Sequence, residues 1–145
     1  MRKISDSSKV SQDSENPSSF ARLIIADDHE LVRSSLRLML EGEQDLQIIA
    51  EARDGQEAIE LYRLHRPNLV LMDLMMPEVN GFEATRTIKE EFPTAKVLTV
   101  SAYESQALTS EAIVAGADGY VSKLCPLQEL LEAIRAVLRG ESVYP

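Results

Sequence analysis

The sequence predicts an α/β fold in which five buried parallel strands alternate with five helices in a doubly wound sheet. Short apolar runs of strand length recur along the chain, stretches with helical spacing separate them, and acidic, hydroxyl or basic residues follow directly after four of the runs. Apolar runs without polar alternation are typical of strands buried on both faces of a parallel sheet. Repeated βα units joined by right-handed crossovers then place helices on both faces.

The strands are predicted from the apolar runs and the helices from apolar residues that recur at helical spacing. Asp54 is a suitable N-cap for the second helix, and Pro126 suits the first turn of the fifth. We predict strands at residues 22–26, 46–51, 68–72, 96–100 and 119–122, and helices that end near Gly42, Pro67, Pro93, Gly116 and Gly140. The residues at helical spacing are Val32, Leu36, Met39 and Leu40, on one face of the first helix; Ala58, Ile59, Tyr62 and Leu64 in the second; Phe82, Thr85, Ile88 and Lys89 in the third; and Leu127, Leu130, Leu131, Ile134, Val137 and Leu138, which form a stripe along the fifth.

The length of 145 residues fits one domain with a single core. The single cysteine, Cys125, cannot form an internal disulfide, and no apolar run is long enough to cross a bilayer. The first twenty residues are rich in serine, have few large apolar side chains and lack the hydrophobic stretch of a signal peptide. We therefore expect a flexible tail over residues 1–20, no membrane association and a cytoplasmic location.

The charge distribution argues against direct binding to nucleic acid. The first twenty residues carry three basic and three acidic side chains, so the net charge of −9 lies in residues 21–145. Duplex DNA is bound through clusters of Lys and Arg that neutralise phosphates, and the sequence has no such stripe.

Five polar residues follow the apolar runs: Asp27, Asp28, Asp73, Ser101 and Lys123. Ligands of open α/β sheets bind outside the carboxyl ends of the strands, so these side chains are expected to converge on one crevice. Clustered carboxylates at neutral pH either retain protons or hold a cation, and Mg²⁺ prefers oxygen ligands while leaving room for a phosphate oxygen. Lys123 and Ser101 could donate to phosphate oxygens, and Asp73 is placed as a nucleophile.

Simpler interpretations of the same residues remain open. One aspartate of the Asp27–Asp28 pair could cap the helix that begins near Glu30, and Lys123 could pair with a buried carboxylate for structural reasons. Serine often ends strands, so Ser101 alone indicates nothing. His29 beside the aspartates could bind a transition metal, although its place suggests a helix-start residue.

The motifs together closely resemble the receiver domain of two-component response regulators. The resemblance runs from Leu23 to about Gly140, and the quoted segments are ADDHELVRSSLRLML, LVLMDLMMPEVNGFEATR, LTVSAYE and GADGYVSK. HELVR and ELLEAIRAVLRGE resemble the subfamily whose output is a helix-turn-helix DNA-binding domain of the LuxR/NarL/FixJ type. The resemblance implies a flavodoxin-like (βα)5 fold with strand order 2-1-3-4-5, a receiver domain over residues 21–140 and the start of a linker to a missing output domain over residues 141–145.

The resemblance also implies a role for each site residue. Asp73 would accept a phosphoryl group from a sensor histidine kinase or phosphotransfer protein, and Mg²⁺ would be held by Asp27, Asp28, Asp73 and the backbone carbonyl of Met75. Ser101 and Lys123 would hold the phosphoryl oxygens, and Ser101 with Tyr120 would form the switch. Phosphorylation would favour a homodimer and control an output such as transcription. Pro77 and Gly81 fit the family's loop, where glycine can adopt backbone angles that other residues avoid.

Two features depart from the pattern of many receivers, and two other functions would use part of the same pattern. Ser101 stands where many members have Thr, and Leu124 rather than Pro follows Lys123. An aspartate-nucleophile phosphatase would need a second aspartate two positions after Asp73, where this chain has Met75. A receiver-like module that binds partners without phosphate is the other alternative. A nucleotide-binding protein is less well supported, because the sequence contains neither a GxGxxG motif nor a P-loop motif. The chain is thus expected to be a signalling domain rather than an enzyme, with only self-phosphorylation and autodephosphorylation chemistry.

Overall fold

Strands and helices alternate throughout the part of the chain that the computed structural model describes, residues 20–145. The predicted tail, apart from the exposed Phe20, lies outside these residues. The strands are β1 (Ala21–Ala26), β2 (Leu46–Ala52), β3 (Leu69–Met72), β4 (Val97–Ser101) and β5 (Gly119–Ser122). The helices are α1 (Glu30–Glu41), α2 (Gly55–His65), α3 (Gly81–Glu91), α4 (Gln106–Ala115) and α5 (Leu127–Leu138).

The five strands form one parallel sheet in the order β2-β1-β3-β4-β5, which confirms the predicted fold and strand order. The chain moves outward from β1 to β2 on one side and from β3 to β5 on the other. The strand order therefore reverses between β1 and β3, and a crevice opens at their carboxyl ends. The residues after β1 and β3 line this crevice.

Helices cover both faces of the sheet. One core cluster joins α1 and α5 to the sheet through residues such as Leu36, Leu40 and Ile134. On the opposite face, α2 and α3 pack through Ile59 and Ile88, and a smaller cluster beside α4 contains Tyr120. None of the helices within residues 20–145 is long and apolar enough to cross a membrane.

Side-chain caps fix the starts of three helices. Asp54 accepts a hydrogen bond from the Glu57 amide, as predicted, Asn80 forms a capping box with Glu83, and Ser105 accepts from the Leu108 amide. Helix α1 differs because its N-cap is His29, which makes no side-chain cap bond. The Asp27 carboxylate accepts instead from the His29 amide at 2.9 Å, so the alternative in which an aspartate occupies the N-cap of α1 is wrong.

Three apolar residues of the predicted helix patterns lie outside the core, and a buried arginine was not predicted. Leu64 is 73% exposed, because it lies two residues beyond the buried Tyr62 and points to the far side of α2. Met39 and Leu127 are 39% and 37% exposed, because the first lies at the margin of the α1 stripe and the second is the first residue of α5. Arg33 occupies a core-facing position of α1 and is buried.

Gly81 is needed for close packing rather than for an unusual backbone angle. A Cβ atom on Gly81 would lie 2.1 Å from the Asp73 carbonyl oxygen and 2.8 Å from the Leu74 Cα. The residue with positive φ in this loop is Glu78, at 62°, so the predicted reason for Gly81 is wrong. The loop can fold beneath the start of α3 only because Gly81 has no side chain.

Candidate functional site

Three carboxylates lie together at the crevice between β1 and β3. Asp27 and Asp28 follow β1 and Asp73 follows β3, the neighbouring strand. Ligand atoms of these three residues and of His29 all lie within 4.8 Å of one another. Asp27 and Asp73 are almost completely buried, whereas Asp28 and His29 are open to solvent. The structure thus brings together the three aspartates that the sequence singles out.

Lys123 reaches the same point from the carboxyl end of β5. Its Nζ lies 2.6 Å from Asp27 Oδ2 and 3.3 Å from Asp73 Oδ1, so the lysine bridges two buried carboxylates. Burial alone would lower the pKa of Lys123, but the hydrogen bond to Asp27 and the charge of Asp73 outweigh it and raise the pKa. Lys123 is therefore a fixed positive charge in the crevice.

Asp73 is the carboxylate with the most perturbed environment. Burial and the nearby Asp27 charge raise its pKa to about 6, although Lys123 and the Met75 backbone N–H, which donates to the carboxylate, lower it in part. The two distances show that the ammonium pairs mainly with Asp27. The site therefore has more negative charge than Lys123 neutralises, which is the condition under which an added cation binds.

The donor set fits Mg²⁺. Its atoms are carboxylate oxygens, which hard cations prefer, and the open Asp28 side leaves space for water or for a phosphate oxygen. His29 Nδ1 lies 3.2 Å from Asp27 Oδ1 and 3.1 Å from Asp28 Oδ1. It is engaged with the carboxylates, in keeping with a residue at the start of α1. The Met75 side chain points to solvent, and its carbonyl as a ligand stays a prediction.

Ser101 and Tyr120 are linked through the segment that follows β4. Ser101 is fully buried, its Oγ accepts a hydrogen bond from the Tyr103 amide at 3.1 Å, and its carbonyl accepts one from the Lys123 amide at 2.8 Å. The Tyr120 hydroxyl donates to the Tyr103 carbonyl at 2.5 Å, and the Tyr120 ring is 1% exposed. Tyr103 thus touches both residues that are predicted to form a switch.

The residues that support the loop after β1 were not predicted from the sequence. Arg33 donates from Nη1 to the Asp27 carbonyl at 2.7 Å and from Nε to Glu51 at 3.1 Å, and Arg37 donates to Glu51 at 2.6 Å. The signal was a single arginine within the apolar stripe of α1, since an arginine at a core-facing position needs buried partners. Arg33 therefore fixes the backbone of Asp27 relative to Glu51 of β2.

Comparison with known proteins identifies the family. Residues 23–135 match the model of the response regulator receiver domain. The chain is 39% identical over 124 residues to the transcriptional regulatory protein LnrK of Bacillus subtilis, covering 86% of this chain and 56% of LnrK. It is 35% identical over 119 residues to the transcriptional regulatory protein DegU of Brevibacillus brevis, covering 82% of this chain and 50% of DegU. The chain thus spans about half the length of these curated relatives.

The structural comparison agrees with the sequence match. The crystal structure of a two-component response regulator of the LuxR family from Aurantimonas sp. SI85-9A1 superposes with a TM-score of 0.83 at 39% identity. The alignment covers 86% of this chain and 89% of that one. The fold, the crevice and the matched sequence together show that the chain belongs to the receiver domains of two-component response regulators, of the LuxR/NarL type.

Proposed function

We propose that this receiver domain accepts a phosphoryl group on Asp73 from the phosphohistidine of a sensor histidine kinase or phosphotransfer protein. The observation that carries the proposal is the position of Asp73. Its carboxylate lies at the crevice between β1 and β3, 3.3 Å from the Lys123 ammonium and within the aspartate cluster. A carboxylate in such surroundings is a suitable nucleophile for phosphorus.

The transfer forms one bond and breaks another. An oxygen of the ionised Asp73 carboxylate attacks phosphorus in line, the P–N bond to the partner's imidazole breaks, and the imidazole leaves with the electron pair and takes up a proton. Lys123 stabilises the charge on the phosphoryl oxygens, and the Ser101 hydroxyl donates a further hydrogen bond. The product is an acyl phosphate on Asp73.

Asp27, Asp28 and Asp73, with the Met75 carbonyl, would hold Mg²⁺ in this proposal. When bound, Mg²⁺ supplies positive charge that offsets the aspartates and the phosphoryl oxygens. The excess negative charge around Asp73 supports this assignment. Asp27 also keeps its hydrogen bond to Lys123, so the same residue fixes the ammonium in the crevice.

The conformational output follows from Ser101 and Tyr120. The phosphoryl oxygens draw the Ser101 hydroxyl toward Asp73, which stabilises the inward position that the Tyr120 ring already has beside α4. The two residues share Tyr103 as a hydrogen-bond partner, which supports their movement as a unit. Coupling of this kind is typically about 1 to 3 kcal/mol, enough to shift an existing equilibrium between two conformations.

In the proposed organisation, residues 21–140 form the receiver and residues 141–145 begin a linker to an output domain. The names of LnrK and DegU describe transcriptional regulators, which supports control of transcription as the output. Phosphorylation then favours a homodimer in the cytoplasm, while this domain itself makes no contact with DNA. The acidic charge of residues 21–145 supports that division of labour.

The chemistry is confined to self-phosphorylation and autodephosphorylation. A phosphatase that uses Asp73 would need a general acid two positions later, where the chain has Met75. A lysine that bridges two buried carboxylates costs desolvation energy, which favours a site that takes phosphate over a module that never does.

The test is intact mass spectrometry after incubation with acetyl phosphate, with Mg²⁺ or with a chelator. We expect one added phosphoryl group that requires Mg²⁺ and is absent from Asp73→Asn. Glu90→Gln, which removes an exposed carboxylate on α3, is the matched control and should gain the group like the wild type. An adduct that persists in Asp73→Asn, or the absence of any adduct in the wild type, would contradict the proposal.

A further inference from the structure

The chain turns back after α5 and lies alongside the edge strand β5. Gly140 adopts φ of 95°, and the Glu141 amide then donates to the Ala136 carbonyl at 3.0 Å. Val143 pairs with Gly119 in a parallel bridge. We name residues 142–144 the C-terminal strap. It extends the sheet beyond β5 by one short segment.

Backbone hydrogen bonds attach the strap to both neighbours of Gly119. The Tyr120 amide donates to the Val143 carbonyl at 2.7 Å, and the Val143 amide donates to the Asp118 carbonyl at 3.2 Å. A Cβ atom on Gly119 would lie 2.9 Å from the Val143 carbonyl oxygen and 2.8 Å from the Leu98 side chain. The close approach of the strap therefore depends on glycine at this position of β5.

The side chain of Tyr144 adds a second attachment beside the same strand. Its ring packs against the core cluster that contains Tyr120, Leu74 and Phe82. Its hydroxyl donates to the Ala117 carbonyl at 2.6 Å. The strap thus contacts the environment of Tyr120 through the backbone of Val143 and through the ring of Tyr144.

These contacts complete a path from Ser101, whose carbonyl accepts a hydrogen bond from the Lys123 amide, to the strap. Ser101 binds the Tyr103 amide, Tyr103 accepts the Tyr120 hydroxyl, and the Tyr120 amide binds the strap. Tyr120 is the one residue of this path that touches both the segment after β4 and the strap. A change in the position of Tyr120 therefore alters contacts at both ends.

We infer that docking of the C-terminal strap on β5 and the inward position of the Tyr120 ring stabilise each other. The inference rests on the proposed function, because it assigns the strap to the switch that Asp73 controls. Coupling between two sites is reciprocal, so occupation of the Asp73 site tightens the strap, and loss of the strap weakens the response at Asp73. The phosphorylation state would then control how firmly the chain leaving α5 is held against the domain.

If the strap only covers the edge of β5, we expect a different result. Covering an edge strand protects its unpaired backbone groups and adds stability in every state of the site. Removing such a cover would lower the free energy of unfolding but leave ligand binding at Asp73 unchanged. Ligand affinity at the Asp73 site distinguishes an edge cover from a coupled strap, because removal of the strap changes that affinity only if the two are coupled.

The experiment titrates beryllofluoride with excess Mg²⁺ into residues 1–145 and follows amide hydrogen exchange of Tyr120 and Val143. The strap variants are Tyr144→Ala and a chain that ends at Glu141, and the matched control lacks only Pro145. We expect the midpoint of the titration to rise about fivefold in both strap variants and to stay within about twofold in the control. In the wild type, exchange of both amides slows further as the site is filled.

Equal midpoints in the wild type and the strap variants, with fast Tyr120 amide exchange in the variants, would overturn the inference and leave an edge cover. Tyr144→Phe keeps the ring and removes only the hydroxyl, so it gives a smaller shift in the same direction and serves if Tyr144→Ala does not fold. A wild type that binds no beryllofluoride and gains no phosphoryl group would refute the proposed function and this coupling together. If the wild type binds beryllofluoride and gains a phosphoryl group, and the strap variants have the same titration midpoint as the wild type, the coupling alone is refuted.

Discussion

At the scale of single residues, the proposed function requires Asp73 to be buried and reactive at once. Burial and the Asp27 charge raise its pKa to about 6, and Lys123 offsets only part of this effect. The carboxylate oxygens must be ionised both to attack phosphorus and to bind a cation. The same side chain therefore makes the metal-free protein sensitive to pH in a range where ordinary aspartates do not titrate.

The raised pKa predicts that the metal-free protein loses stability as pH rises through about 6. Between about pH 4 and 6 the folded Asp73 retains a proton that the unfolded chain has lost, so folding is favoured at the acidic end of this window. The loss should be on the order of 1 to 3 kcal/mol, because a tenfold change in proton affinity corresponds to about 1.4 kcal/mol. Urea unfolding of the wild type and of Asp73→Asn, both in a chelator and from about pH 4.5 to about pH 8, measures this loss of stability. The loss appears as a change with pH in the difference between the free energies of unfolding of the two proteins. A difference that does not change with pH would contradict the assignment of this titration to Asp73.

Arg33 supports the loop after β1 that carries Asp27, so we expect its removal to destabilise the domain. Arg33→Ala removes the buried guanidinium that binds the Asp27 carbonyl and Glu51, and should lower the free energy of unfolding by about 2 to 4 kcal/mol. Arg37→Ala is the matched control, because Arg37 is more exposed, does not bond to Asp27 and should cost less than about 1 kcal/mol. Urea denaturation gives both values. Equal losses in the two variants would show that the contact with Asp27 adds nothing.

At the scale of elements, pattern and capping rules predict most of the fold. The five strands begin and end within one residue of the predicted positions, because buried parallel strands are continuous apolar runs. Asp54, Gly116 and Gly140 mark helix ends by local chemistry that the sequence displays directly. Contacts distant in sequence could not be predicted in this way, and the pairing of Val143 with Gly119 is one of them.

The site shows the same division between local and distant information. Asp27, Asp73 and Lys123 could be predicted to meet because the ends of parallel strands share one edge. Gly81 was predicted to be needed for its backbone angles, whereas it is needed for its close approach to the Asp73 carbonyl. That approach could not be predicted, because it depends on how the β3–α3 loop folds back. Arg33 was missed because its partners, the Asp27 carbonyl and the Glu51 side chain, lie on different segments of the chain.

Gly81→Ala tests whether this close approach fixes the β3–α3 loop. The added Cβ would meet backbone atoms of Asp73 and Leu74, which cannot rotate away, so the loop must shift. We expect a loss of about 2 to 4 kcal/mol in the free energy of unfolding. Gly42→Ala is the matched control, because nothing lies within 4 Å of its added Cβ and its φ is −73°. That change should be neutral or stabilising by up to about 1 kcal/mol, and a Gly81→Ala loss no larger than the Gly42→Ala change would refute the packing argument.

At the scale of the whole molecule, the site exists only when the sheet is complete. Its side chains come from the ends of β1, β3, β4 and β5, which are separated by tens of residues along the chain. An unfolded chain has no such cluster, so a cation that binds here binds the folded state selectively. The overall charge of −9 complicates the test, because any salt screens repulsion in an acidic protein.

Mg²⁺ should therefore stabilise the whole domain by an amount that depends on its concentration. Above its dissociation constant, each tenfold rise in free Mg²⁺ raises the free energy of unfolding by about 1.4 kcal/mol. Urea denaturation over a Mg²⁺ series, with NaCl adjusted to constant ionic strength, separates this specific effect from screening. Asp73→Asn should flatten the dependence, while Glu90→Gln, which removes an exposed carboxylate, should keep the wild-type slope. If both variants keep that slope, the cation is stabilising the acidic surface and Asp73 is not among its ligands.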